Sequence, residues 1–423
     1  MSIKGRLIIT NFLEFFVWGA WMMTLAHYGF VEKGWSGAQF GLVFSTMGFA
    51  SIVMPTLFGI IADKWKANYV FAILHILFGI TICFLPFIDS PSTFFWVLLV
   101  AMSFYMPTIG LNNALNFEIL KNEGKDPTIA FPPIRVWGTV GFIVAMWLTN
   151  FVTKDWGLGL SIKSSFYISA AFAFVLALFA FALLPSINKK EEVKSNEKKS
   201  LMQILGLEAF VLFKQRKMAL FFVFSLLLGA ALQLTNAYGD SFLQDASVFP
   251  KGSLINNLST IILSISQMSE TLFILAIPFF MKRFGIKKVM LFSMAAWVLR
   301  FALFGLAGNT VPGFILIVIS CLVYGMAFDF FNISGALFVQ QNTDSRIQSS
   351  AQGLFMLITN GIGAVMGNIV AGYVITKWFE DPITQVKNWP GIWYAFAIYS
   401  LIVGILFAIL FKHKHEPEKM QNI

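Results

Sequence analysis

The sequence has little charge. Asp, Glu, Lys and Arg make up 12% of its 423 residues, against about 25% in a soluble domain. A soluble body of this size could not cover its surface with so few polar groups. A soluble enzyme, a disordered chain and a nucleic-acid-binding domain are therefore excluded, despite a net charge of +9. Cysteine is almost absent: Cys83 and Cys321 are the two, and both sit in apolar runs. That excludes a disulfide framework and any cysteine-based metal site. No HExxH, GxSxG or Cys/His cluster occurs, so no nucleophile–base pair or metal-ligand set marks an enzyme, and no cofactor is expected.

What the chain has instead is apolar length. A helix crosses the hydrocarbon core with about 20 mostly apolar residues. Such runs lie near 8–30, 37–62, 68–88, 93–116, 133–152 and 165–185, and again near 218–243, 257–281, 287–307, 312–338, 348–377 and 391–411. They are continuous rather than alternating, which predicts helices and not β-strands. The expectation is an all-α membrane protein with twelve transmembrane helices in two six-helix bundles. The one long charged run, KKEEVKSNEKKS (189–200), divides them. The predicted organisation is a bundle over 1–187, a cytoplasmic linker over 188–217, a second bundle over 218–412 and a cytoplasmic tail over 413–423.

Lys and Arg set the orientation, because they gather in cytoplasmic loops. With both termini cytoplasmic, 22 of the 30 basic residues fall inside and 6 outside, while Arg135 and Arg300 lie within or at the ends of spans. Lys4 and Arg6 ahead of the first span imitate a signal peptide, but no small-residue cleavage site follows, so that span is read as retained.

The halves share a basic cluster after their second helix. One reads Gly59-Ile-Ile-Ala-Asp63-Lys64 and the other Lys282-Arg283-Phe284-Gly285-Ile286-Lys287-Lys288. The first resembles the G-x-x-x-D-[RK] loop signature of the major facilitator superfamily. That resemblance implies a carrier that moves small solutes by alternating access of two halves.

Ionisable residues inside spans are costly and point to function. They are Glu14, Arg135, Glu270, Arg300 and Asp329. Arg135, Thr139 and Phe142, at i, i+4 and i+7, form one helical stripe behind Pro132-Pro133, which suits a helix start. Gln233 and Asn236 are i, i+3; Gln267 and Glu270 repeat that spacing; Tyr324 and Phe328 are i, i+4. Interhelical hydrogen bonds are the alternative use of such faces. Arg135 and Glu270 could serve as each other's partner. Arg300 is expected to pair or snorkel near a span end, and His75 to pack.

Amides and a carboxylate can bind the hydroxyls of a vicinal diol or read a base edge, and Phe and Tyr offer stacking surfaces. A nucleoside or an aryl glycoside fits this set better than a peptide, an anion or a fatty acid.

The stretches FLEFFVWGAWMMTL (12–25), MPTLFGIIADKW (54–65), FPPIRVWGTVGFIVAMW (131–147), LLLGAALQLTNAYG (226–239), SISQMSETLFILAIPFF (264–280) and YGMAFDFFNISG (324–335) closely resemble the nucleoside:proton symporter family of that superfamily. The resemblance runs over nearly the whole chain. It implies import of purine and pyrimidine nucleosides with protons as the coupling ion across a bacterial inner membrane. It implies a nucleoside site at Arg135, Thr139, Phe142, Gln233, Asn236, Gln267, Glu270, Tyr324 and Phe328, and proton coupling at Asp329. Glu14 departs from the family pattern, which usually has Gln there. That adds a second candidate proton carrier, or else a carboxyl kept neutral by burial. A proton-coupled sugar or glycoside importer is the competing reading. The expected partners are small-molecule nucleosides and the lipid bilayer, with no nucleic acid and a monomeric chain.

Overall fold

Long apolar runs become helices because a bilayer offers the backbone no water to bond with. The structure, a computed structural model, describes residues 1–185, 207–344 and 347–414. Residues 188–206 of the predicted linker and 415–423 of the predicted tail lie outside the described residues.

The longer helices are α1 (Ile3–Gly19), α2 (Gly37–Phe44), α3 (Thr46–Lys64), α4 (Ala67–Phe84), α5 (Pro91–Asn122), α6 (Pro132–Thr153) and α7 (Ser164–Leu183). They continue as α8 (Arg216–Leu232), α9 (Leu234–Gln244), α10 (Ser259–Leu306), α11 (Val311–Gln341), α12 (Gln348–Met356), α13 (Ala364–Val374) and α14 (Trp389–Leu410). Proline stands in the first turn of α5, α6, α11 and α14, where a missing N–H costs nothing. Side-chain caps begin three helices: Ser2 Oγ accepts from Gly5 N, Thr310 Oγ1 from Gly313 N and Asn388 Oδ1 from Gly391 N.

Among the described residues ten helices are long and apolar enough to cross a membrane, against twelve predicted crossings. The difference has two sources. α1 is a 17-residue helix that ends in a turn before a short continuation at Leu25–His27. α10 runs for 48 residues and takes in both predicted spans of that region, broken at Gly285, whose φ of 75° and ψ of 169° are not helical.

The chain divides into two compact units. The first is built from residues 1–35 and 39–185 with 257–261, the second from 207–256 and 262–414 with 36–38. In the first unit, α1, α4, α5 and α7 share an apolar core that includes Leu7, Phe71, Leu74, Leu115 and Leu176. Beside that core runs a buried amide ladder. Asn11 Nδ2 donates to Asn116 Oδ1 at 3.0 Å, Asn112 Nδ2 to Asn11 Oδ1 at 3.1 Å, and Asn116 Nδ2 to Asn112 Oδ1 at 2.9 Å. In the loops of this unit Lys33 Nζ reaches Asp89 Oδ1 at 2.6 Å. The hydrogen bond and charge of Lys33 hold the Asp89 carboxyl below its ordinary range. This contact therefore persists at neutral pH and is lost as pH falls through that lowered value.

Candidate functional site

In the first unit the polar stripe lies on α6. Arg135 and Thr139 are half-buried and Phe142 is buried. The local sequence explains their position. Gly141 lets α6 press on α1 so closely that a Cβ there would sit 2.0 Å from the Phe12 carbonyl oxygen. The Arg135 guanidinium then lies 4.0 Å from the centre of the Phe15 ring of α1. Phe142 meets the Trp18 ring edge-on at 6.2 Å, and Trp18 in turn meets Tyr105 of α5 at 5.9 Å.

The second unit carries the remaining candidates. Gln233 is the residue at which α8 stops and α9 begins, with φ −94° and ψ −10°. An interrupted helix leaves backbone groups and a polar side chain available at membrane depth. Asn236, one turn on, donates to Gln233 Oε1 at 3.4 Å and also meets the Tyr324 hydroxyl. The Tyr324 and Phe328 rings stack on one face of α11, 5.7 Å apart and 17° from parallel. Gln267 and Glu270 are half-buried on α10, and the charge of Glu270 is felt at both Tyr324 and Asp329. α10 and α11 touch at Gly325, where a Cβ would lie 2.5 Å from the Ser269 carbonyl oxygen and 2.7 Å from the Glu270 nitrogen. That approach sets Glu270 beside Tyr324. Asp329 is buried, and its Oδ2 has no hydrogen-bond partner.

Two residues outside the predicted faces take central places. Arg300 does not snorkel; it is 1% exposed and braces three segments. Its Nε donates to Thr235 Oγ1 at 3.2 Å, its Nη1 to the Ser320 carbonyl at 2.6 Å and its Nη2 to Ser266 Oγ at 3.2 Å. Its guanidinium also stands 4.6 Å from the Tyr324 ring centre. Thr235 and Ser266 are the chain neighbours of Asn236 and Gln267, so Arg300 fixes the segments that present those amides. A charge in mid-span could have been matched to the hydroxyls around it from the sequence.

His75, expected only to pack, pairs with Glu14: Nε2 lies 2.9 Å from Oε2, and neither side chain is exposed. Thr108 of α5 donates to Glu14 Oε1 at 2.7 Å. Thr108, Asn112 and Asn116 follow i, i+4, i+8 along α5, a polar stripe as regular in the sequence as that of Arg135 and Thr139. The structure thus sets Arg135, Thr139 and Phe142 along α6 in one unit, and brings together Gln233, Asn236, Glu270, Tyr324 and Phe328 in the other, with Gln267 one turn before Glu270 on α10. Asp329 lies beside the second set, and Glu14 is buried against Tyr105 and Thr108 of the first unit.

Amides, a carboxylate and stacked rings, partly or fully buried inside long apolar helices, mark a membrane carrier for a small solute. Comparison with known proteins gives the particular kind. The family model described as nucleoside H+ symporter matches residues 1–416. The xanthosine permease of Escherichia coli (strain K12) is 45% identical over 426 residues, covering 100% of this chain and 99% of the permease. The nucleoside permease NupG of the same strain is 45% identical over 418 residues, covering 98% and 97%. A crystal structure of nucleoside transporter NupG superposes with a TM-score of 0.87 at 44% identity, covering 98% of this chain and 100% of that one. The chain belongs to the nucleoside:proton symporter family of the major facilitator superfamily. It is a transporter and not an enzyme.

Proposed function

We propose that the chain imports purine and pyrimidine nucleosides together with protons, by alternating access, across a bacterial inner membrane. The observation that carries this reading is the pairing of two chemistries within the second unit. Asn236 and Glu270 bear on Tyr324 of the stacked Tyr324–Phe328 face, with Gln233 bonded to Asn236 and Gln267 one turn before Glu270 on α10. A ribose offers hydroxyls to the polar groups and a base offers a flat face to the rings. Arg135, Thr139 and Phe142 are the substrate-contacting residues of the first unit, and Asp329 is the proton carrier.

Uptake tests the reading. Cells lacking their own nucleoside transporters and expressing this chain are expected to accumulate radiolabelled uridine and adenosine. Unlabelled nucleosides, xanthosine among them, should compete, while free bases and sugars should not. A sugar competing as well as a nucleoside would overturn it in favour of a sugar carrier.

The proposal extends to topology: twelve crossings in two six-helix bundles, both termini cytoplasmic, and a monomeric carrier. Support comes from the 22-to-6 bias of basic residues and from the length of α10. At 1.5 Å per residue its 48 residues exceed twice the roughly 30 Å core. Ser90 and Glu123 bracket α5 and both are exposed. In a chain freed of Cys83 and Cys321, a cysteine at Ser90 should react with an impermeant thiol reagent outside intact spheroplasts, and one at Glu123 should not. The reverse pattern would invert the topology.

A further inference from the structure

The first unit holds a buried acid–base pair that nucleoside recognition does not use. Glu14 of α1 and His75 of α4 are each 0% exposed, and Oε2 and Nε2 stand 2.9 Å apart with no other hydrogen-bond partner. The other atoms of the pair have fixed roles. His75 Nδ1 lies 2.8 Å from the Phe71 carbonyl oxygen. A carbonyl only accepts, so Nδ1 carries a hydrogen. Glu14 Oε1 accepts from Thr108 Oγ1 at 2.7 Å. With Nδ1 protonated, a neutral imidazole presents a lone pair at Nε2, and an ionised carboxylate presents another at Oε2. Two lone pairs cannot face each other at 2.9 Å inside an apolar bundle without repulsion, and the carboxylate would be an unpaired buried charge. One proton between Nε2 and Oε2 removes both problems. It leaves the pair neutral overall, whether written as acid and imidazole or as carboxylate and imidazolium.

The surroundings bear on this pair from every side. From α5, Tyr105 donates to the Glu14 carbonyl at 2.6 Å and touches the His75 ring edge-on. From α6, Arg135 is the cation whose field reaches Tyr105. α7 carries no acidic or basic residue, and α3 has its charges only at its last two positions, Asp63 and Lys64. Because Glu14 is on α1 and His75 on α4, the proton also ties two helices together. Losing it sets a lone pair against a buried carboxylate across this contact, which favours separation of the two helices at this level and links occupancy to helix movement.

We propose that Glu14 and His75 form a second proton-binding site, in the amino-terminal unit, that is loaded in this conformation and emptied during transport, in addition to Asp329. This rests on the proton-symport reading above. The proton is bound and released by simple transfer, leaving the imidazole and the carboxylate behind, with no other reactant.

The test is the proton-to-nucleoside ratio of the full chain in proteoliposomes, measured from the membrane potential that just balances a uridine gradient. The wild-type chain is expected to move two protons per uridine and Glu14→Gln one. The glutamine amide can still donate to His75 Nε2 and accept from Thr108, so uridine binding and thermal stability should be kept. At 100 mV the attainable accumulation should fall by about 50-fold. His75→Gln should give the same ratio of one, and it serves as the reading should Glu14→Gln fail to fold. An unchanged ratio in a folded, uridine-binding variant would overturn the second site while leaving symport intact. An absence of uridine-linked proton movement in the wild-type chain would overturn symport itself.

Discussion

Asp329→Asn is expected to abolish uphill nucleoside uptake while leaving nucleoside binding and exchange between equilibrated compartments. A neutral nucleoside gains nothing from the membrane potential, so its accumulation requires a coupled ion. One proton moved through the potential supplies about 2.3 kcal/mol per 100 mV, enough for about 50-fold concentration. The carrier of that proton must be a titratable group inside the spans that is not consumed by a permanent partner. Asp329 meets these conditions: it is 5% exposed within α11, and its Oδ2 has no hydrogen-bond donor. It also sits where occupancy can be sensed at the substrate face. Phe328 precedes it in the chain, and Glu270, which also acts on Tyr324, is the charge that reaches it. Asparagine keeps the shape and removes the titration. Binding measured by calorimetry should therefore survive, and the gradient-driven component of uptake, the part a protonophore removes in the wild-type chain, should vanish. Full protonophore-sensitive accumulation by Asp329→Asn would reassign the coupling.

How much of this could be read from the sequence differs by feature. Helical periodicity placed Tyr324 and Phe328 on one face, and they stack; it placed Gln233 near Asn236, and their amides meet. These are residues within one or two turns of each other, where 100° per residue leaves little freedom. The membrane class was legible for an equally local reason, since apolar runs of this length have few other uses. Contacts between distant segments were not legible. Glu14 and His75 are far apart in sequence, and only the packing of α1 against α4 and α5 brings Nε2 to Oε2. The sequence leads one to expect Arg300 to pair or snorkel near a span end, because charge is cheapest there. The fold instead surrounds it with Thr235, Ser266 and the Ser320 carbonyl from three segments. Continuous helices and crossings are counted differently where apolar length and helix breaks separate: nothing in the run of α1 marks the turn after Gly19, and Gly285 interrupts α10 without ending it.

Glu270→Gln should weaken nucleoside binding by about 10- to 150-fold, the equivalent of a charged hydrogen bond worth about 1.5–3 kcal/mol. Glu270 is half-buried on α10 beside the Ser269–Gly325 contact, so its backbone is fixed by the approach of α11 and its carboxylate projects from a helix and not from a loop. A carboxylate there can accept from both hydroxyls of a ribose; the amide that replaces it can accept from only one oxygen and turns a donor toward the substrate. The loss should therefore depend on the sugar hydroxyls. A 2′,3′-dideoxynucleoside, which lacks both, should bind the wild-type chain weakly and lose little further affinity in Glu270→Gln. The rings predict the complementary pattern. Phe328→Ala removes a stacking surface worth about 1–3 kcal/mol per base, so it should weaken nucleosides and dideoxynucleosides alike, with no effect specific to the hydroxyls. Calorimetry of the two variants against both ligands separates these contributions. Unchanged uridine affinity in folded Glu270→Gln would remove this residue from the site, and an equal loss for both ligands would mean that it contacts the base instead of the ribose.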